Sequence, residues 1–516
     1  MYSRAAAATI VTFALLGGTV AMGAPVGAAG QSGARPTVRP AGPLAPFYEQ
    51  RVTWTPCPGT VDSECATVIV PMDYRVPEGV TITLGLLRKT SAIPGAPSLV
   101  FNPGGPGGSA TDWVDATSSI LVNPASPDIT SRYNLVGMDP RGVGRSTQLN
   151  CVSQEDLDAE KRGLPDDVAQ QLAYAADSTL NEVCAKANKG LTSNIGTDSA
   201  AKDLDIVRAA LGEEKLNFYG ASYGSYLGMM YAHTFPDRVG RMILDGINGP
   251  LDDMSGLALA QARGTEESLR GWAATCAARG ASCPAGPGKS KAQVLAWLRN
   301  LLRVVHKQPF QPATGDAIND RDLLEIAITL LAIGQGRGFT DLDAMLASAA
   351  TALGNGTDAQ DAADAVNSYR QDYGQPNANF SSVNQAVNCY DRPTSGTRAT
   401  TAKYHHAWRK LAPFFGQMFA PIPASCFHWP VRRTKGLLRV TPTTKTPVLL
   451  INGLHDPRTP VRMARQSVRL FPNAGLLLWN GFGHVSGTRG NECINDAVAT
   501  YLINGTLPPK GITCGS

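Results

Sequence analysis

Short apolar runs alternate with amphipathic stretches along much of this chain. The runs are rich in branched side chains and end at Gly, Pro, Asn or Asp, which is typical of buried strands. The run 80–87 alternates with threonines and pairs naturally with 66–70, which predicts an antiparallel opening pair. The predicted strands are 66–70, 80–87, 98–102, 134–138, 216–219, 242–244, 447–451 and 476–479.

Helical periodicity separates several of these strands. Leu204, Val207 and Leu211 share one face of a predicted helix over 203–211, which Gly212 ends. A second helix is predicted over 225–234. Strands that alternate with helices predict the α/β class, with a mostly parallel, doubly wound sheet.

The alternation stops between Asn248 and about Arg439, where the chain is rich in Ala, Leu and Gln. Strands are needed on both sides of this stretch to complete the sheet. We therefore predict a large helical lid, 249–439, inserted over the carboxyl ends of the strands, where open α/β sheets carry their sites. The core would comprise 47–248 and 440–516. An independent second domain is the alternative.

The first thirty residues are typical of an export signal. A positive start at Arg4 precedes an apolar run, 5–22, and a small-residue cleavage site at 26–28. A transmembrane anchor is disfavoured because the run is short and glycines interrupt it. We predict a signal peptide over 1–30, a flexible lead-in or pro-segment over 31–46, an extracellular location and no stable membrane insertion.

Composition narrows the class of protein. The chain has 516 residues, is 43% hydrophobic and 17% charged, and has a net charge of +4, which indicates a globular protein. Lys and Arg are scattered rather than gathered in a stripe with aromatics, so we expect no nucleic-acid partner. The sequence leaves the oligomeric state open, and a monomer is the working expectation.

Ten cysteines in an exported chain predict disulfides. Their spacing suggests that neighbours pair, although sequence alone leaves other connectivities open. No C-x-x-C occurs, and histidines do not join cysteines at metal-ligand spacing, so we expect no metal and no cofactor. The suggested pairs are Cys57–Cys65, Cys151–Cys184, Cys276–Cys283, Cys389–Cys426 and Cys493–Cys514.

The chemistry centres on 220–224, Gly-Ala-Ser-Tyr-Gly. A G-x-S-x-G between a strand and a helix is a nucleophile elbow, since its glycines permit a turn that exposes the serine. The alternative is a glycine-rich turn with a purely structural role, in which the serine is incidental. We predict that Ser222 is a nucleophile.

A serine nucleophile needs an imidazole base and a carboxylate to orient it. Asp456 and His484 each follow a predicted strand, and serine, acid and histidine then occur in the order of α/β-hydrolases. Asp245 is the rival acid, but we favour a capping role for it. His455 adjoins the acid and is expected to point the other way.

Acyl transfer also needs donors for an oxyanion. The N–H of Tyr223 should supply one, and a glycine after the strand 98–102 the other: Gly105 first, Gly104 second. A phosphate-binding loop is disfavoured because no G-K-S/T occurs and two prolines remove donors.

Four motifs together resemble the exported tripeptidyl aminopeptidases of actinomycetes, which are α/β-hydrolases related to proline iminopeptidases. They are N-P-G-G-P-G at 102–107, D-x-R-G-x-G-x-S at 139–146, G-x-S-Y-G at 220–224 and G-x-x-D-x-x-T-P at 453–460. The resemblance spans nearly the whole mature chain, including a TAP-like region at about 390–514. Pro103 departs from the iminopeptidases, which usually carry His there.

The resemblance implies a secreted serine exopeptidase that releases tripeptides from free N-termini through an acyl-enzyme on Ser222. Three extended residues span roughly 10 Å, so a carboxylate that far from the serine should hold the substrate ammonium. Glu266, Glu267 and Asp391 are the candidates in the lid. The alternatives are a secreted carboxylesterase with the same triad and a catalytically silent binding protein on this scaffold.

Overall fold

A mixed, mostly parallel sheet organises the protein in the computed structural model, which describes residues 42–117, 127–151, 184, 186, 188, 190–354, 356, 358–373, 377–429, 431 and 436–515. Ten strands within these residues form one sheet in the order β1-β2-β3-β5-β4-β6-β7-β8-β9-β10. The pairs β1–β2, β2–β3 and β3–β5 are antiparallel, and the others are parallel. The strands are β1 (Thr55–Pro56), β2 (Glu64–Pro71), β3 (Thr81–Lys89), β4 (Ser98–Asn102), β5 (Asn134–Met138), β6 (Leu216–Ala221), β7 (Val239–Asp245), β8 (Val448–His455), β9 (Ala474–Phe482) and β10 (Thr513–Cys514).

Helices cover both faces of the sheet because successive strand residues point to opposite sides. Val100 of β4 packs in one apolar cluster, whereas Leu99 and Phe101 pack in the cluster on the other face. The helices that belong to this core are α1 (Ala45–Glu49), α2 (Ala110–Thr117), α3 (Pro127–Arg132), α4 (Thr197–Ala210), α5 (Tyr223–Thr234), α14 (Val461–Ser467) and α15 (Glu492–Asn504).

The chain between β7 and β8 is helical, although these two strands are hydrogen-bonded neighbours in the sheet. The helices therefore form an insertion between adjacent strands, and they enclose an apolar cluster of their own around Trp272, Leu298, Leu330 and Phe415. They are α6 (Met254–Ala278), α7 (Lys291–Lys307), α8 (Asp320–Ile333), α9 (Arg337–Ala352), α10 (Asp358–Tyr373), α11 (Ala378–Asp391), α12 (Arg398–Leu411) and α13 (Gly416–Phe419).

The motif at 139–146 is part of the framework of the core. Arg141 is buried and donates to both oxygens of Asp203 on α4, at 2.6 and 2.7 Å. The Asp139 carboxylate accepts from the backbone N–H of Thr111 at 3.0 Å and of Arg145 at 2.8 Å. These bonds tie the end of β5 to α2 and α4.

Five disulfides join the chain in the same pairs that the cysteine spacing suggests. Cys276–Cys283 lies within the insertion and closes the end of α6. Cys389–Cys426 links α11 to the segment that leads back toward the sheet. No cysteine of the chain is left unpaired in the bonds that the structure records.

The α/β fold and the mostly parallel sheet are confirmed, and the differences from expectation are local. The helix predicted over 203–211 begins at Thr197, and β10 was not foreseen. Helix α1 begins at Ala45, so the end of the predicted lead-in is helical. The predicted signal peptide, 1–30, lies outside the described residues.

Candidate active site

Ser222 lies alone between the last residue of β6 and the first residue of α5. Its φ is 56°, a left-handed conformation that is costly for a residue with a side chain and typical of a nucleophile elbow. The flanking glycines are required by close contact: a Cβ on Gly224 would lie 2.5 Å from the carbonyl oxygen of Asn102. The local sequence thus fixes a sharp turn with a half-buried serine at its apex.

Asp456 and His484 meet at the carboxyl ends of β8 and β9. His484 Nδ1 lies 3.0 and 2.9 Å from the two carboxylate oxygens of Asp456. Because an ionised carboxylate can only accept, Nδ1 carries the proton, and Nε2 of the neutral ring is left as a base. The structure therefore brings the predicted acid and the predicted base together.

The charge of Asp456 is stabilised at a fully buried position. Burial opposes ionisation, but His484 and the N–H and hydroxyl of Thr459 outweigh it and hold the pKa of Asp456 below its ordinary value. The N–H groups of Arg458 and Thr459 donate to it at 2.9 and 2.8 Å. Asp456 can thus remain a carboxylate beside the imidazole.

Asp245, the rival acid, does not bind the histidine ring; it links the elbow to the histidine loop. Its main-chain carbonyl accepts the N–H of Ser222 at 2.8 Å. Its carboxylate accepts the N–H groups of Ser486 at 2.9 Å and Gly487 at 2.6 Å and the hydroxyl of Tyr219 at 2.7 Å. Sequence reasoning expected a cap on its own loop, whereas the carboxylate holds a loop 241 residues further on.

The elbow and the imidazole lie on either side of the turn after β7. Ser222 is bonded to Asp245, and a Cβ on the next residue, Gly246, would lie 3.3 Å from Cε1 of His484. Val485 follows the histidine with φ 63°, which is strained for a β-branched residue. Such strain is typical of active sites, where the surrounding bonds over-determine the backbone.

The glycine loop after β4 lies against the elbow. A Cβ on Gly104 would lie 2.7 Å from the nitrogen of Tyr223 and 2.9 Å from Cβ of Ser222. The N–H of Gly104 donates to Asn102 Oδ1 at 3.1 Å, which favours Gly105 as the donor that the loop offers to a substrate. Tyr223 is the first residue of its helix, so its N–H has no acceptor within that helix.

Asp391 is a correction to the predicted ammonium sites. Its side chain is 1% exposed, and it binds both the N–H, at 3.2 Å, and the hydroxyl of Thr197 at the start of α4. The hydroxyl of Thr197 in turn lies 2.6 Å from that of Tyr223. Asp391 therefore caps a helix and supports the elbow from behind, where a substrate amine has no access.

Glu266 and Glu267 differ although they are neighbours on α6. The buried Glu266 accepts the N–H of Phe414 at 3.0 Å and pairs with Arg270 at 3.1 Å, so its role is structural. The Glu267 side chain is 60% exposed and lies 3.0 Å from Nδ1 of His455, the residue before Asp456. Of the three candidates, only Glu267 combines exposure with a place beside the site.

Helix α11 of the insertion covers the glycine loop. Asn384 donates to the carbonyl oxygen of Pro106 at 3.0 Å, and the Phe380 ring would be 3.0 Å from a Cβ on Gly105.

In the part of the chain that the structure describes, no helix is both long and apolar enough to span a membrane. Nor do three metal-binding side chains converge anywhere among the described residues.

Two family models match this chain: an alpha/beta hydrolase fold over residues 97–309 and a TAP-like protein over 412–514. The serine protease Hip1 of Mycobacterium tuberculosis is 31% identical over 498 residues, covering 91% of this chain and 92% of that protein. The tripeptidyl aminopeptidase of Streptomyces coelicolor is 31% identical over 470 residues, covering 87% and 83%. Carboxylesterase B of M. tuberculosis is 30% identical over 529 residues, covering 99% and 98%.

The fold and an elbow serine at the carboxyl edge of the sheet define a serine hydrolase of the α/β-hydrolase class. Within that class, the chain belongs to the TAP-like family of serine peptidases. The resemblance drawn from the sequence motifs is thereby confirmed.

We predict that Asp245→Asn lowers the turnover of an activated aryl ester roughly 10- to 100-fold with little change in KM. The two N–H groups bind different oxygens, one of which becomes an NH2 donor, so the histidine loop shifts. Steady-state kinetics on folded protein measures this. Tyr219→Phe is the matched control, since it removes only the bond that does not touch the histidine loop, and its loss should stay below about tenfold. Wild-type turnover in Asp245→Asn would refute this role.

We also predict a pH-dependent stability from Asp391. Burial raises its pKa to about 7, Asp198 acts in the same direction, and the bond from Thr197 opposes it. The native state therefore keeps a proton that the unfolded chain releases near pH 4, so stability falls by up to about 1.4 kcal/mol per pH unit from pH 4 to 7. Urea unfolding of Asp391→Asn should lack this part of the slope, and identical slopes would contradict the assignment.

Proposed function

We propose that this protein is an exported serine exopeptidase that releases tripeptides from free N-termini through an acyl-enzyme on Ser222. The observation that carries the proposal is the hydrogen-bonded pair of Asp456 and His484 beside the elbow serine at one edge of the sheet. Peptide cleavage is supported by relatives named serine protease and tripeptidyl aminopeptidase.

The acylation step uses the roles proposed for the three side chains. Nε2 of His484 removes the proton from Ser222 Oγ as that oxygen attacks the carbonyl carbon of the third residue. Asp456 stabilises the imidazolium that forms. The imidazolium then gives its proton to the leaving amine, and the N-terminal tripeptide remains as an ester on Ser222.

Deacylation reverses the roles with water as the nucleophile. His484 removes a proton from water as it attacks the ester carbonyl, and the proton returns to Ser222 Oγ when the tripeptide leaves. In both steps the N–H groups of Tyr223 and Gly105 donate to the oxyanion. Gly104 is the second choice for the loop donor, since its N–H is already bound to Asn102.

An exopeptidase has to measure from the substrate amino terminus, and we propose that Glu267 binds the ammonium group. Its carboxylate is exposed and adjoins His455, whose ring stacks on Phe482 with centroids 4.4 Å apart. Phe482 lies two residues before His484, the proposed base, and His455 lies directly before Asp456, the proposed acid. This place beside both loops supports Glu267 over Glu266 and Asp391.

The proposal also includes export of the protein and an active site whose access is restricted by the lid. The signal-like segment 1–30 and five disulfides fit an oxidising, extracellular compartment. The lid, 249–439, would restrict the site to peptide ends, since α11 lies on the glycine loop. A carboxylesterase with the same triad is the second candidate, because one relative of similar identity carries that name.

We predict that the protein releases p-nitroaniline from Ala-Pro-Ala-p-nitroanilide and that Ser222→Ala abolishes this, since no other group can form the acyl-enzyme. The N-acetylated twin should be cleaved at least about tenfold less well, because it has no ammonium to bind. Equal cleavage of both forms would discard the amino-terminal anchor. Turnover of an aryl ester with neither peptide cleaved would favour the carboxylesterase.

We further predict that Glu267→Gln raises KM for the free tripeptide substrate roughly tenfold and leaves kcat nearly unchanged, since one charge-assisted contact is lost in ground and transition states alike. Glu325→Gln, which alters an exposed carboxylate of α8 paired with Arg321, is the matched control and should leave KM unchanged. If Glu267→Gln has no effect on KM, another group binds the amine.

A further inference from the structure

Arg489 lies in the loop after β9, five residues beyond the proposed base. Its guanidinium donates to four backbone carbonyls: to Val485 at 2.9 Å, to Ala332 at 3.0 Å, and to those of Ile333 and His484. Two of these carbonyls belong to the histidine loop and two to the insertion. One side chain thus joins the base to the helical insertion.

The carbonyls on the insertion side lie at the end of α8. Carbonyls in the last turn of a helix lack partners within the helix and carry the negative end of its dipole, so a cation is favoured there. The same segment binds the histidine loop directly, because the N–H of His484 donates to Ala332 at 2.7 Å and that of Gln335 to Phe482 at 3.1 Å. Gln335 Oε1 also accepts the N–H of Phe482 at 3.2 Å.

The acceptors of Arg489 that the structure records are all carbonyl dipoles. Burial lowers the pKa of the guanidinium, while the charges of Asp456 and Asp245 act in the opposite direction from a distance. A partly buried cation is stabilised when its donors are satisfied. The planar fork of arginine can reach four carbonyls at once, whereas a lysine ammonium is a point donor.

We infer that Arg489 is a positioning residue, which fixes the main chain of His484 by tying it to the end of α8. The inference rests on the proposed function, in which His484 is the base. The insertion would then contribute to catalysis by holding the main chain of the base in place. It accepts the N–H of His484 directly, and Arg489 links it to the carbonyl of the same residue.

The test uses three forms of the full-length protein. For Arg489→Ala we expect kcat for a p-nitrophenyl ester to fall roughly 100-fold with KM within about twofold, as for a displaced catalytic group. The rate at which a fluorophosphonate labels Ser222 should fall in parallel, because labelling needs the base but no peptide site. Arg489→Lys should recover part of both rates, and millimolar guanidinium should partly restore Arg489→Ala.

Arg279→Ala is the matched control, because Arg279 pairs with Asp343 at 2.5 Å wholly within the insertion. It should lower the thermal midpoint without changing kcat or the labelling rate. The inference would be overturned if Arg489→Ala, assayed at a temperature below its thermal midpoint, kept the wild-type rates. It would also be overturned if neither the Arg489→Lys substitution nor added guanidinium restored the lost rates. A wild-type protein that fails to react with the fluorophosphonate would overturn the proposed function, and the inference with it.

Discussion

The end of β7 sets the spacing of the whole site through one residue, Asp245. Its main-chain carbonyl holds Ser222, and its carboxylate holds the loop that follows His484. The residue is buried, and the hydroxyl of Tyr219 also donates to its carboxylate, so both oxygens are held by hydrogen bonds. The end of the strand therefore binds two loops that are far apart in sequence, which would preorganise the proposed nucleophile and base.

The insertion contacts the same site through a separate set of bonds. Arg489 and the N–H of His484 bind the end of α8, and Asn384 of α11 binds the glycine loop at Pro106. The insertion thus contacts both the proposed base and the proposed oxyanion loop. The insertion also carries the exposed Glu267, so under the proposed function it would contribute to substrate selection as well as to support.

Sequence reasoning identified the parts of the site that local pattern encodes. A G-x-S-x-G turn between a strand and a helix predicts an elbow serine, which here is Ser222. Asp456 and His484 each come at the end of a recognisable apolar strand. It did not find the groups whose role depends on distant partners. Helix α4 begins at Thr197 because Asp391, 194 residues later, caps it, and the bonds from Arg489 to α8 span up to 157 residues. No local pattern carries those contacts, and none separates exposed Glu267 from buried Glu266.

Three buried carboxylates near the site show why surroundings, and not residue type, assign the acid. Burial raises the pKa of Asp245 and of Asp391, whereas the imidazole and donors around Asp456 more than offset burial and lower its pKa. The carboxylate of Asp245 accepts from two backbone N–H groups and a tyrosine hydroxyl. The carboxylate of Asp391 accepts from the first N–H of a helix. Of the three, Asp456 alone has a lowered pKa and also faces a histidine. Since an orienting acid has to stay ionised while the base takes up a proton, Asp456 alone meets the requirement.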